Sequence, residues 1–369
     1  MNDTLYQDGF SQTFDAANTF FDFLDHVEKN SQWQRIDIHS LQVAPLNQFS
    51  SVPGLSVDII ADTMKNTGLL LRLGDNQLIP LRDCAIKSLQ NRAKISGPAL
   101  RKVRPDQLAQ IFNYCLDVSK SLALVRISSG KVSAVLSGDP HDYAILDAPE
   151  LFQLTHNYLT DNYNGQFVFG SFEHHLTTAL WSLNDPQLLE TYQQALIDYG
   201  QTPGKLTAAV YFCTSNIGTS SAKLYPYLLY DNFPLALGEP LALAHKGNAT
   251  VADFKSRLDR LFMHYKQAID SFSKLLNTPI SYPAQTMIHI AKALGLPHKL
   301  CMPVIGSFAE RTGNTPCTAH DCYYQLNEII YQEQCQGASP SKILERSETI
   351  MGALTLNWPT YDYYSDIAW

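Results

Sequence analysis

The sequence predicts an α+β fold, in which helices pack on one face of an antiparallel sheet and a helical C-terminal part follows. Three observations predict this class. Short apolar segments typical of strands alternate with amphipathic helical segments through residues 1–248. Turn signals separate several strand segments by only a few residues, which favours hairpins. From residue 249 onward, apolar residues recur at intervals of three and four, as they do in helices.

Residues 1–66 are predicted to form an N-terminal region with one helix and two strands. Apolar residues recur at helical spacing through residues 13–28, and Thr13 is a candidate N-cap. Residues 35–43 and 54–60 have the composition of strands, and Pro53-Gly54 marks a turn before the second.

Residues 67–248 are predicted to form the α+β core. Strands at 69–73 and 77–81 flank the turn signal Gly74-Asp75-Asn76, which predicts a hairpin. The other predicted strands are 121–126, 131–136, 142–146, 166–172, 176–183 and 206–213. The predicted helices are 80–93, 105–116, 148–161 and 186–199.

Residues 249–369 are predicted to be helical. Thr250 and Asp253 form a near capping box at the start of a long helix whose apolar residues extend to Leu276. Further helices are predicted at 283–294, 318–335 and 340–351.

Composition and charge limit the possible functions. The 369 residues carry a formal net charge of −8, which does not favour nucleic-acid binding over the whole surface. No apolar run approaches the ~20 residues needed to cross a bilayer, and the N-terminus does not resemble a signal peptide. Seven scattered cysteines are typical of a reducing compartment. We therefore expect a protein of the cytoplasm with no membrane partner.

A basic stripe at residues 82–104 is the main exception to the acidic balance. It contains seven basic residues and one acidic residue, Asp83. Such a stripe is a candidate binding surface for phosphates, and the alternative is a solvated helix face followed by a basic loop. The seven candidates are Arg82, Lys87, Arg92, Lys94, Arg101, Lys102 and Arg104.

A second candidate surface lies in residues 205–246, where a strand-like run leads into a polar loop. The loop groups that could bind an anion, with Lys223 supplying a charge, are Thr214, Ser215, Asn216, Gly218, Thr219 and Ser220. Neither a phosphate-binding P-loop nor a G-x-S-x-G motif is present, so a polar connection without a ligand is the alternative. Tyr225 and Tyr227 could stack on bases while Lys223 and Lys246 meet phosphates, unless these aromatics belong to the core.

Two other clusters contain residue types used in catalysis or metal binding. Glu173 and His174 could act as an acid/base pair or as ligands, although His175 should point to the opposite face of a regular strand. Zinc could be bound by Cys317, His320, Cys322 and Cys335, but cysteines five residues apart around a helix start rarely face one metal. We predict no metal, no cofactor and no catalytic residue.

Three segments resemble an uncharacterised family of phage- and plasmid-encoded proteins, known mainly as a domain of unknown function. They are FVFGSFEHHLTTALWSL, FCTSNIGTSSAKLYPYLL and LGEPLALAHKGNATVADF. The resemblance is strongest over residues 167–262 and extends to residue 69. It implies a mobile element in a bacterial cytoplasm and carries over no catalytic residues.

The resemblance and the basic stripe together lead us to expect a protein of DNA metabolism that binds or anneals single strands without catalysis. An annealing protein would form a homo-oligomer around the strand. The alternative is a non-catalytic protein-interaction factor, for host takeover or anti-defence, whose acidic surface would bind a basic protein. A hydrolase or nuclease using His141, Asp142, Glu173 and His174 is the third hypothesis.

Overall fold

The computed structural model describes residues 4–49, 51–74, 77–120, 122–230 and 233–365. Helices alternate with antiparallel sheets up to residue 243, and the chain is mainly helical from residue 251 onward. The α+β class and the helical C-terminal part predicted from the sequence are therefore confirmed. None of the described helices is long and apolar enough to cross a membrane.

The N-terminal region contains a helix that the sequence analysis interpreted as a strand. Its elements are β1 (Ser11–Phe14), α1 (Ala17–Lys29), β2 (Ser31–Asp37), β3 (Leu41–Pro45) and α2 (Val57–Asn66). The predicted strand at 54–60 is wrong because the side chain of Ser56 caps α2, accepting a hydrogen bond of 3.3 Å from the Ile59 N–H. Asp58 in the first turn also favours a helix.

Two small sheets and two helices follow. The elements are β4 (Leu69–Leu73), β5 (Gln77–Pro80), α3 (Asp83–Arg92), α4 (Pro105–Asp117), β6 (Leu122–Ser128) and β7 (Lys131–Ser137). The sheets have the orders β2-β6-β7 and β3-β4-β5, and a parallel bridge from Leu81 to Val132 joins them. Helices α3 and α4 share one apolar core with both sheets. The predicted β4–β5 hairpin is confirmed, while Asp75 and Asn76 of its turn lie outside the described residues.

A large antiparallel sheet forms the centre of the protein. The next elements are α5 (Ala148–Tyr163), β8 (Gln166–Glu173), β9 (Leu176–Leu183), α6 (Glu190–Asp198), β10 (Leu206–Thr214), β11 (Ala222–Tyr230), β12 (Phe233–Ala236) and β13 (Leu241–Leu243). The sheet order is β1-β8-β9-β10-β11-β12, and β13 also pairs with β11. The predicted strand at 142–146 is wrong, because this segment has no ladder. The Asp142 and Tyr143 N–H groups donate to the Asp139 carbonyl, as in a turn, and the Ala144 N–H donates to the His245 carbonyl at 3.0 Å.

The C-terminal part is built from six helices and one short ladder within the described residues. The elements are α7 (Val251–Leu258), α8 (Leu261–Ser273), β14 (Pro279–Ile280), α9 (Pro283–Ala293), α10 (His298–Thr312), β15 (Cys317–Thr318), α11 (Ala319–Cys335) and α12 (Pro340–Met351). The predicted capping box at Thr250 and Asp253 is confirmed. The predicted long helix is two helices, and α10, which contains Pro303, was not predicted.

Helices pack against both faces of the large sheet, so the prediction that they pack on one face only is wrong. On one face, Val210 and Phe212 of β10 share a core with residues of α1, α5, α7 and α8. On the other face, Tyr211 of β10 packs with Leu344 and Met351 of α12. Alternate residues of one strand thus enter two cores, because successive side chains point to opposite sides of a sheet.

Candidate nucleic-acid interface

A cavity of about 670 Å³ lies where the C-terminal ends of α3 and α4 meet β7. Its lining includes Asn91, Arg92, Lys94, Val118, Lys120 and Asp142. Three of these six are basic and one is acidic, so the cavity is cationic in a chain whose net charge is −8. Arg92 lies in the last turn of α3, where the partial negative charge of the helix C-terminus favours a basic side chain.

Arg92 fixes the geometry of the cavity. Its Nη2 donates hydrogen bonds to the carbonyl of Lys120 at 2.7 Å and to that of Leu122 at 3.3 Å. These bonds join the end of α3 to the segment that leads from α4 into β6. Lys94 and Lys120 are both exposed, so their ammonium groups can reach an anion without loss of internal contacts.

Most of the predicted basic stripe is exposed around this cavity or on the connection that follows it. Lys87 lies four residues before Asn91 on α3, so the two side chains lie on the same side of the helix. Arg101 and Lys102 are exposed in a short 3₁₀ helix, Pro98–Lys102. Arg104 is exposed and pairs with Asp106 at 3.1 Å, which reduces its charge toward a ligand.

Arg82 does not belong to this surface, contrary to the sequence interpretation. Its side chain is fully buried, and its guanidinium donates to the carbonyls of Gln7 at 3.1 Å and Ser128 at 3.3 Å. The Asp8 carboxylate lies 3.7 Å away. Arg82 therefore holds the N-terminal segment against β6 and cannot contact a phosphate in this structure.

The predicted polar loop bonds mainly to the protein itself. Thr214 is buried against His245, with 3.0 Å between Oγ1 and Nε2. Ser215 and Thr219 share a hydrogen bond of 2.7 Å between their hydroxyls, and Thr219 also donates to the His175 carbonyl at 2.6 Å. Asn216 and Ser220 also bond within the protein. Asn216 donates a hydrogen bond to the Glu28 carboxylate, and the Ser220 hydroxyl donates to the Ser221 carbonyl.

The loop nevertheless supports the cavity wall. Gly218 has a positive φ of 73°, and a Cβ at this position would lie 3.4 Å from Tyr143 and 3.5 Å from Leu136. Leu136 lines the cavity. The polar loop therefore packs against a residue of the cavity wall but contributes no lining residue of its own, so it provides packing where the sequence suggested an anion site.

Tyr225 and Tyr227 are core residues and are not available for stacking on bases. Tyr225 is fully buried and donates its hydroxyl hydrogen to Glu348, which also accepts from Lys223 at 2.7 Å. Tyr227 is 6% exposed, and its hydroxyl lies 2.6 Å from that of Ser347. Three of the predicted binding residues thus anchor α12 to the sheet. Lys246 is exposed.

Glu173 and His174 are buried, and they bind the start of α12 and the N-terminal segment, respectively. Glu173 Oε2 accepts a hydrogen bond of 3.1 Å from the N–H of Ser341. His174 Nε2 lies 2.9 Å from the Gln7 carbonyl, an arrangement that requires the nitrogen to carry the proton. Burial, followed by the positive charge of Arg82, lowers the pKa of His174 well below its usual value, so the ring is neutral near pH 7.

The cysteine cluster forms a thiol pair. Cys317 Sγ and Cys322 Sγ are 3.6 Å apart, closer than their spacing around a helix start suggested. His320 is buried and its Nε2 lies 2.7 Å from the hydroxyl of Tyr192. Cys335 is exposed 13 residues after Cys322 on the same helix, about 20 Å away along its axis. Over the described residues, no group of three His, Cys, Asp or Glu side chains could hold a metal.

The sequence analysis missed two residues of the interface. Lys120 follows α4 and was not included in a stripe that ended at residue 104. Tyr114 is 75% exposed on α4, four residues before Val118, which lines the cavity, and Tyr114 is not itself a lining residue. The sequence signal for Lys120 was its position just after a predicted helix, whereas the exposure of Tyr114 is not visible in the sequence.

The chain matches no protein-family model, no curated protein and no solved structure. The cavity is therefore interpreted from its own chemistry. Exposed ammonium groups and an amide can bind a phosphate chain, and an exposed aromatic ring on α4 can stack on a base.

Proposed function

We propose that this protein binds single-stranded nucleic acid, without chemical turnover, at the cavity between α3, α4 and β7. The observation that carries the proposal is the arrangement of exposed Lys94 and Lys120 around one cavity, with the exposed ring of Tyr114 on α4, the helix whose C-terminal end forms part of the cavity wall. Cations meet the phosphates, and the ring provides a stacking platform for a base.

Charge distribution restricts binding to this face. The rest of the chain is strongly acidic, since the whole carries −8 while residues 82–104 are basic. A polyanion is repelled elsewhere and attracted here. A single strand suits the site better than a duplex, because its unpaired bases can turn toward Tyr114 while the backbone follows the lysines.

The biological setting is part of the same proposal. The resemblance to phage- and plasmid-encoded proteins supports a role in the DNA metabolism of a mobile element, in the cytoplasm of a bacterial host. Annealing of complementary strands would require a homo-oligomer that presents several such cavities along one strand.

Reversal of the two exposed lysine charges tests the interface. Lys94→Glu/Lys120→Glu is expected to weaken binding of a fluorescent single-stranded oligonucleotide, measured by anisotropy at about 50 mM salt. The slope of log affinity against log salt should fall by about 1.4, because each lost phosphate contact on a single strand is worth about 0.7.

The matched control is Lys292→Glu/Lys299→Glu, which makes the same charge change at two exposed lysines of the helical part. This control should keep the slope of the unmodified protein. If both double variants lose the same oligonucleotide affinity, the loss reflects net charge and not the cavity. If Lys94→Glu/Lys120→Glu binds the oligonucleotide as tightly as the unmodified protein, the cavity is not the binding site.

Removal of the Tyr114 ring tests stacking separately from charge. Tyr114→Ala is expected to weaken oligonucleotide binding by about 5- to 150-fold, since one stacked base is worth about 1–3 kcal/mol. The salt slope should not change. Because Tyr114 is 75% exposed, stability should change by no more than about 0.5 kcal/mol. Tyr199→Ala, at a tyrosine that is 46% exposed, is the control and should bind normally.

A protein partner is the second candidate function. Tyr114, Val118 and Leu122 are 75%, 70% and 46% exposed, and large apolar side chains grouped on a surface fit a protein contact. This reading predicts no oligonucleotide binding by the unmodified protein even at about 50 mM salt. That single measurement therefore decides between the two candidates.

A further inference from the structure

A second cavity lies between the large sheet and the helices α11 and α12. Its volume is about 170 Å³. Apolar side chains form most of its wall, among them Phe169, Leu180, Ile330, Ile343 and Leu344. Its lining residues are all different from those of the basic cavity, so its role is independent of nucleic-acid binding.

Two pairs of buried hydroxyls interrupt the apolar wall. Ser171, which lines the cavity, lies 2.7 Å from Thr178 between hydroxyl oxygens. Tyr227 and Ser347, which both line it, form a second pair at 2.6 Å. A hydroxyl has one hydrogen and two lone pairs, so a paired hydroxyl can still accept a hydrogen bond from a ligand. No lining side chain is charged, which excludes an ionic ligand.

The cavity has the size of a single-ring molecule. An engineered apolar cavity of about 150 Å³ in another protein binds benzene, and the present volume is slightly larger. The extra space accommodates one polar substituent. The hydroxyl pairs provide acceptors for it.

The ligand has a route to the cavity. Thr13 and Gln334 line it and are exposed, and Ala338 of the turn between α11 and α12 is half-buried. These residues place the mouth beside β1 and the α11–α12 turn. A small molecule can therefore enter without separating α12 from the sheet.

We propose that this cavity binds a neutral, single-ring aromatic molecule bearing one hydrogen-bond donor, with phenol as its simplest representative. The ring packs on Phe169, Leu180 and Leu344, and the donor bonds to a buried hydroxyl oxygen. Because Tyr227 and Ser347 join the sheet to α12, the bound molecule also stabilises the attachment of this helix.

Titration with phenol, benzene and benzoate tests the proposal, with amide chemical shifts and thermal unfolding as readouts. Phenol is expected to bind saturably with a dissociation constant of about 1 mM or below and to raise the melting temperature. Benzene should bind about fivefold more weakly, since it lacks one hydrogen bond. Benzoate should not bind, because its charge would be buried without a partner.

Two substitutions close the cavity in different ways. Ala338→Trp narrows the mouth without altering the core, and Leu344→Phe fills the interior. Each is expected to weaken phenol binding more than tenfold, whereas Ala61→Trp, at an exposed site on α2, should leave it unchanged. The proposal is overturned if phenol does not saturate by about 10 mM, or if a folded Ala338→Trp protein binds it normally. Oligonucleotide affinity should be the same in all of these variants, so the phenol proposal and the nucleic-acid proposal are tested independently.

Discussion

Replacement of Lys131 by methionine is expected to lower the free energy of unfolding by about 3–5 kcal/mol. The Lys131 side chain is fully buried, and its Nζ lies 2.8 Å from Asp8 Oδ1 and also donates to Asp62 Oδ2. Methionine preserves the length of the side chain and removes the charge. Asp62 then has no cation to bond and keeps the hydrogen bond from the Asp8 N–H, at 3.2 Å. Asp8 keeps one cation, Arg82 at 3.7 Å, and the hydrogen bond from the Asp83 N–H at 2.8 Å. The loss reflects carboxylates left buried without sufficient compensation.

Urea unfolding measures this loss, and a double variant identifies its cause. Lys131→Met/Asp62→Asn removes one positive and one negative charge, so the Asp8–Arg82 pair remains neutral. It should recover part of the stability lost in the single variant. Lys65→Met, the same substitution at an exposed lysine of α2, should change stability by no more than about 0.5 kcal/mol. A loss below about 1 kcal/mol in Lys131→Met would show that the buried network contributes little.

Acidification is expected to destabilise the protein through His245. Burial lowers the pKa of His245 to about 4, whereas an unfolded histidine titrates near 6.5. Between these values the unfolded chain binds more protons, so this contribution to stability is complete above pH 6.5 and decreases as the pH falls toward 4. From pH 7 to pH 5 the decrease is about 2 kcal/mol.

Other groups also titrate in this range, so the test is a comparison of variants. The lowered pKa of His174 acts in the same direction as that of His245. Asp147 acts in the opposite direction, because burial raises its pKa to about 6 and the folded state then binds the extra proton. His245→Gln is expected to reduce the difference in unfolding free energy between pH 7 and pH 5 by about 2 kcal/mol. His39→Gln, at an exposed site, should leave the difference unchanged, and an unchanged difference in His245→Gln would contradict the assignment.

Local signals predicted most of the elements correctly. The hairpin of β4 and β5, the helices α3 and α4 and the capping box at Thr250 depend on neighbouring residues and turn chemistry. The error at residues 54–60 came from competing local signals. Residues 54–60 have an apolar composition typical of a strand, but the Ser56 cap and the Asp58 charge favour the helix that is present.

The candidate site was predicted less well, because burial depends on partners that are distant in the chain. Arg82 belongs to the same basic run as Lys94, yet Arg82 is covered by residues 6–8 and Lys94 is exposed. Nothing in the local sequence shows which of the two tyrosines, Tyr114 or Tyr225, is exposed. Only the packing of α12 on the large sheet buries Tyr225 and leaves Tyr114 as the exposed ring.

The sequence by itself determined the α+β class, the helical C-terminal part and the basic stripe, because hydrophobic periodicity and charge are properties of adjacent residues. The tertiary structure decided which of those charges and rings face solvent. In the folded protein, Lys120 lines the same cavity as Arg92 and Lys94. The loop at residues 214–220 packs against the wall of that cavity, and Arg82 is buried next to Asp8. These outcomes depend on contacts between residues far apart in the chain, which no local pattern specifies.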